Sequence, residues 1–227
     1  GKKRRRGRGA STDEHIVILN VHHIATDGWS TAVLTDGIMA AYNALVSGES
    51  LDVAEETYIR YTDYAAWQRE LLADERFMEP HVRYWRETLG GELAVLELQP
   101  DHPRPAVLTS AGSSVPVSVS ITTSASLAAL CQECGATAMR GALAAWAVLL
   151  GKHSGQEEVV VGMGHGASAL PIRVSFEGGA SSFRGVMKQA HERVESALLH
   201  AVVPLSTIIE AVTPERDASR SAIFQTS

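Results

Sequence analysis

Three prolines within a short stretch, Pro100, Pro103 and Pro105, break the chain near its middle. Proline fixes φ and removes a backbone donor, so neither a helix nor a central strand can run through Leu98-Gln99-Pro100-Asp101-His102-Pro103-Arg104-Pro105. The alternating prolines stiffen an extended connector. Residues 99–114 are therefore expected to link two bodies, residues 13–98 and 115–227, with residues 1–12 forming a disordered basic arm. A chain of 227 residues is long enough for one large core or two smaller ones.

Ahead of the connector, the apolar run at residues 16–21 reads as a buried strand. Ser30 or Thr31 is expected to cap a helix running to about Val46, with Ala32, Leu34, Ile38, Met39, Tyr42 and Leu45 near helical spacing and Gly48 as its stop. An aromatic helix follows, Tyr61-Thr62-Asp63-Tyr64-Ala65-Ala66-Trp67-Gln68, reaching about Leu72, with Tyr64 and Trp67 expected in a core. A third helix is expected from about Pro80 to Leu89, halted by Gly90-Gly91.

Beyond the connector, Val115, Val117, Val119 and Ile121 alternate with small or polar residues, the pattern of a half-buried strand. Ser124 is expected to cap a helix ending at Gly135, and Thr137 another reaching Leu150 with Met139, Leu143, Trp146 and Leu150 buried. Residues 157–163 read as a short buried strand. Glycines 162, 164 and 166 follow a strand as in a dinucleotide loop, but Pro171 and an alternating pattern stand where that loop needs a helix. Leu170, Ile172, Val174 and Phe176 share one strand face, leaving Arg173 on the other, and Pro171 restricts that strand to an edge. Ser182 is expected to cap a long amphipathic helix, and His191 and His200 to be surface or cap histidines.

The balance of charge is uneven. Lys2, Lys3, Arg4, Arg5, Arg6 and Arg8 are six of 20 basic residues, leaving 14 against 26 acidic ones, a balance of −12. That acidic body offers no second basic patch for nucleic acid, so a solvated arm is expected rather than a nucleic-acid surface. No apolar run approaches the ~20 residues of a membrane span, and residues 1–9 lack the apolar segment of a secretory signal. Cys131 and Cys134 lie without a thioredoxin-like context or a second pair for zinc, so two free thiols in a cytoplasmic chain are expected.

Chemistry concentrates in Val21-His22-His23-Ile24-Ala25-Thr26-Asp27-Gly28-Trp29-Ser30. Two imidazoles, a carboxylate and a glycine emerge where a strand leaves the core, and imidazole titrates near neutral pH. The string His-His-x-x-x-Asp-Gly-x-Ser resembles the signature of the condensation domains of nonribosomal peptide synthetases, members of a wider acyltransferase group. Tyr61 to Trp67 resembles a second motif of that family, the connector resembles its linker between subdomains, and Arg173 occupies the arginine of a fifth motif otherwise poorly matched here. His200-Ala201-Val202-Val203-Pro204-Leu205 and Arg216-Asp217-Ala218-Ser219-Arg220-Ser221-Ala222-Ile223-Phe224 resemble two further motifs.

The resemblance implies an α/β fold of two chloramphenicol-acetyltransferase-like subdomains, incomplete here at both ends. It implies peptide-bond formation: the amine of a carrier-bound aminoacyl thioester attacks a carrier-bound acyl thioester. His23 is the expected catalytic imidazole, His22 a supporting residue, Gly28 a backbone contributor to the channel wall, and Asp27 the structural partner of Arg173. The Asp-Gly-Trp-Ser string leans toward the L-to-L subtype. No metal is expected, and no cofactor beyond the phosphopantetheine arms of donor and acceptor carrier proteins. An adenylation domain is the expected neighbour, with neither nucleic acid nor membrane as partner. Two alternatives stay open: an acyltransferase acting on alcohols or soluble thioesters, and a docking module that binds carriers without turnover.

Overall fold

The structure is a computed structural model that describes residues 15–23, 25–50, 59–93, 95–109, 111–166, 168–176, 182–212 and 217–227. The basic arm, Ile24 and Arg216 lie outside the described residues. The chain divides into two compact units, Gly1–Asp52 and Val53–Ser227. The first holds helix α1 (Gly28–Ser47), and no residue of α1 is buried. The second holds α2 (Tyr61–Ala73), α3 (Glu75–Thr88), α4 (Ile121–Glu133), α5 (Ala138–Ser154), strands β1 (Glu158–His165) and β2 (Ser168–Ser175), then α6 (Phe183–Leu199) and α7 (Leu205–Val212).

The hairpin of β1 and β2 is the centre of the second unit. The strands pair antiparallel from Glu158 opposite Ser175 to His165 opposite Ser168, so the chain reverses just past β1. Such turns need a left-handed residue, and Gly166 supplies it at φ 57°. Helix α6 packs against both β2 and α5, α4 lies on α5, and α3 meets α7. The core joins Val159, Val161, Ile172 and Val174 of the sheet to Val186, Met187, Ala190 and Val194 of α6.

Small residues let the layers approach. In α5 the buried positions are Gly141, Leu143, Ala144, Ala147, Leu150 and Gly151. The expected stripe is thus half corrected: Leu143 and Leu150 are buried, whereas Met139 and Trp146 are exposed. A methyl on Gly141 would meet the Cys131 sulfur, and one on Gly151 would meet the Phe176 ring. Large residues at those places would hold α4 and β2 away from α5, so the contact face of α5 had to be small.

Cap chemistry sets most helix ends. Thr137 and Ser182 cap α5 and α6 as expected, accepting from the Arg140 and Gly185 amides. Gly48 closes α1 in the left-handed conformation at φ 71°. Helix α4 starts earlier than expected, because Ser120 rather than Ser124 accepts the Thr123 amide. Helix α3 likewise starts at Glu75, with the Asp74 carboxylate taking the Arg76 and Phe77 amides, so Pro80 lies inside it.

Two expected strands are absent from the described residues. Residues 16–21 and 115–119 form no ladder, and their apolar side chains are exposed, Ile16 at 90% and Val117 at 85%. Alternation marks a potential face, but a strand exists only where a neighbour completes its hydrogen bonds. Tyr64 and Trp67 are also more exposed than expected; their rings meet each other tilted by 45°, with centroids 5.6 Å apart along α2. Residues 99–109 have neither helix nor strand, and the Leu108 amide bonds the Ala218 carbonyl at 2.8 Å.

The segment around Phe224 covers the outer edge of β1. The Gly162 amide donates to the Thr226 carbonyl at 2.8 Å, the Trp146 indole donates to the Thr226 hydroxyl at 2.9 Å, and the Phe224 ring fills the space a Gly162 side chain would need. Gly162→Ala should therefore cost about 1–3 kcal/mol by overpacking. In a denaturation cycle with Phe224→Leu the two costs should be clearly non-additive; simple additivity would remove this account.

Candidate functional site

Residues 22–30 turn into α1 through a reciprocal cap. Asp27 is the N-cap: its carboxylate accepts the Ser30 amide at 2.7 Å, and its own amide donates to the Ser30 hydroxyl at 2.7 Å. Its carbonyl takes the first helical bond from Thr31 at 3.0 Å. This corrects the expectation that Ser30 or Thr31 caps the helix; Ser30 is instead the third helical residue of the box. The signal was in the sequence as an aspartate followed three residues later by a hydroxyl. Gly28, the first helical residue, has open space where a side chain would be, so Gly28→Ala is sterically tolerated by α1 itself.

The Ser30 amide and then the Ser30 hydroxyl hold the Asp27 carboxyl below the ordinary aspartate range. A depressed folded-state value means that the cap is intact above that range and is lost only as acid titrates the folded carboxylate. Asp27→Ala should raise amide exchange at Ser30 roughly fivefold at neutral pH, with Asp27→Asn close to the parent, because asparagine caps nearly as well. Equal exchange in parent and Asp27→Ala would show that the cap does not hold this turn.

Neither histidine of the pair is buried. His22 and His23 are exposed, while Asp27 is half-buried. The Ala25 amide closes the turn onto the His22 carbonyl at 2.9 Å. His22, His23, Asp27 and Gly28 thus share one short loop and helix start of the first unit.

Arg173 belongs to the second unit, where its guanidinium is engaged. Its Nε and Nη2 donate to the two oxygens of Glu158 at 2.9 and 2.7 Å, and Nη1 donates to the carbonyl of Gly90 at 2.9 Å. The expected partnership of Asp27 with Arg173 would join the two units; within its own unit each of the two groups has a local partner. Register explains the choice: Arg173 faces Val160, and Glu158 lies two residues along the same face, a diagonal cross-strand neighbour. The pair ties the hairpin to the end of α3.

The described part of the last motif opens on a turn. The Ser219 amide donates to the Asp217 carboxylate at 2.8 Å and Arg220 pairs with it at 2.7 Å; Ser219, then Arg220, keeps that carboxyl below its ordinary range. Asp217, Ala218 and Ala222 line a cavity of about 550 Å³ with Ile209 and Glu210 of α7. Cys131 is buried and Cys134 half-buried, both as free thiols. Among the described residues, no three histidine, cysteine or carboxylate side chains gather as metal ligands. No single helix there is long and apolar enough to cross a membrane.

The family model for the condensation domain matches residues 9–227. The chain belongs to the condensation-domain family. This condensation domain is 35% identical to a linear gramicidin synthase of Brevibacillus parabrevis, over 94% of this chain and 4% of that synthase. It is 34% identical to malpibaldin synthetase of Mortierella alpina, again over 94% of this chain and 4% of the relative. The condensation domain thus spans a small part of the curated relatives it matches.

Among solved structures, the X-domain from teicoplanin biosynthesis superposes with a TM-score of 0.80 at 26% identity, over 90% of this chain and 49% of that one. A four-domain nonribosomal peptide synthetase bound to AMP and glycine superposes at 0.74 with 25% identity, over 90% of this chain and 16% of that one. The condensation domain is therefore an α/β protein of the expected chloramphenicol-acetyltransferase-like class.

Proposed function

We propose that this condensation domain acts in nonribosomal peptide synthesis by transferring a carrier-bound acyl or peptidyl thioester to the amine of a carrier-bound aminoacyl thioester. The observation that carries the proposal is the signature loop: two exposed histidines on a turn that the Asp27–Ser30 box fixes at the start of α1. The amine nitrogen attacks the thioester carbon, the C–N bond forms, and the C–S bond then breaks. His23 takes the proton released by the amine and returns it to the departing phosphopantetheine sulfur. A placed general base contributes ~10²–10⁴-fold to such a step.

His22 supports the loop, Gly28 lines the channel with backbone, and Asp27 fixes the turn rather than titrating during the reaction. The phosphopantetheine arms arrive on donor and acceptor carrier proteins, with an adenylation domain as neighbour. The test combines the protein with both carriers loaded with amino acids and follows dipeptidyl carrier by intact-protein mass spectrometry. Dipeptide formation abolished by His23→Ala supports the proposal; no dipeptide from the parent overturns it.

A second proposal has its own observation. One solved X-domain with a TM-score of 0.80 is in complex with OxyB, so a protein of this shape takes a protein partner. As a docking module, this chain would bind loaded carriers with the same affinity before and after His23→Ala and form no product.

A further inference from the structure

Outside the signature loop, two histidines far apart in sequence meet ring to ring. His81 of α3 and His200, the C-cap of α6, place their Nδ1 atoms 2.9 Å apart, and both side chains are half-buried. The rings meet edge-on at 67°, and Tyr84 stacks flat on His200 with centroids 4.0 Å apart. The Trp85 indole donates to the His200 carbonyl at 3.0 Å. The same helix, α3, therefore grips His200 by its ring, by its face and by its backbone.

An Nδ1···Nδ1 contact of this length holds a single proton: one ring donates and the other accepts. Adding a second proton turns the acceptor into a donor, and two N–H groups then face each other. The ionisable neighbours are Tyr84 on α3 and Arg193 on α6, which acts on the Tyr84 hydroxyl; Glu210, the single ionisable residue of α7, lines the separate cavity with Asp217. Among the described residues, no carboxylate acts on His200 to balance that second charge.

We propose that the His81–His200 pair is a proton-operated latch: with one shared proton it fastens α3 to the corner between α6 and α7, and with two it lets go. Burial first, and the His81 charge second, hold His200 below the ordinary imidazole range. The sign follows: this contribution is complete above the unfolded imidazole value near 6.5 and fades as pH falls through the lower folded value.

The experiment reads hydrogen exchange of the Trp85 indole and the thermal midpoint of the whole chain between pH 7.5 and pH 5, for the parent, His81→Gln and His200→Gln. With intrinsic exchange corrected for, the parent indole should open several-fold more often at the acid end. Both variants should show a flatter pH dependence of exchange and midpoint, while His191→Gln, whose ring bonds Arg140, should keep the parental slope. Should a variant fail to fold, the parental indole titration still decides. An exchange rate independent of pH below the imidazole range, or equal slopes in all four proteins, overturns the latch.

Discussion

Trp85→Ala should lower the stability of the second unit by about 3–5 kcal/mol, the range for removing a large buried aromatic side chain. Trp85 is fully buried, at 0% exposure. Its ring meets Tyr84 edge-on at 5.0 Å, and its indole nitrogen satisfies the His200 carbonyl where α6 ends. Alanine would leave both a cavity and a weakened turn. Trp85→Phe separates these effects, because it keeps most of the volume and loses the donor. The carbonyl retains the Val203 amide at 3.3 Å, so a loss of only about 1–2 kcal/mol is expected for phenylalanine. Urea denaturation followed by circular dichroism checks both values. A cost below about 1.5 kcal/mol for alanine would mean that α3 is not part of the cooperative core.

His23→Ala should reduce amide formation by ~10²–10⁴-fold, with carrier binding unchanged. The expectation follows from the proposed division of labour in the loop. The Asp27 carboxylate is committed to the Ser30 amide, and that bond sits at the helix end where the dipole favours a negative charge. The exposed ring of His23 carries no such commitment to the helix start. Initial rates of dipeptidyl-carrier formation at saturating carriers isolate the chemical step. His22→Ala, removing a supporting residue, should cost less than His23→Ala. The reverse order would reassign the base within the pair, and equal rates in all three proteins would remove imidazole from the mechanism.

Local chemistry was legible in the sequence, and long-range cover was not. Thr137, Ser182 and Gly48 announced their helix ends because a cap is decided by residues within one turn of it. The buried face of Leu170, Ile172 and Val174 followed from alternation and the first strand from its apolar run, whereas their pairing as a hairpin came only from the structure. Trp67, Trp146 and residues 16–21 misled because a periodic apolar face states what wants cover, not what provides it. The true contact face of α5 escaped because Gly141, Ala144 and Ala147 score as neutral, although close packing needs them.

The candidate site was half legible. The His-His-x-x-x-Asp-Gly string located the loop and identified the family, since those residue types rarely gather by chance. The Glu158 contact of Arg173 was not foreseen, because an arginine on an outward face can reach several carboxylates. Counting the hairpin register from the Gly166 turn would have placed Glu158 beside it. The His81–His200 meeting left no trace, because the two residues are 119 positions apart.

The seam between Thr226 and β1 bears on how this molecule behaves at high concentration. A two-stranded sheet has two rims, and a bare rim rich in valine is a template onto which another molecule can add its own strand. Here the segment around Phe224 occupies one rim, so its departure would uncover Val159, Val160 and Val161 to intermolecular pairing before the helices melt. Fibrillar or amorphous self-assembly would then begin from a locally opened but otherwise native molecule.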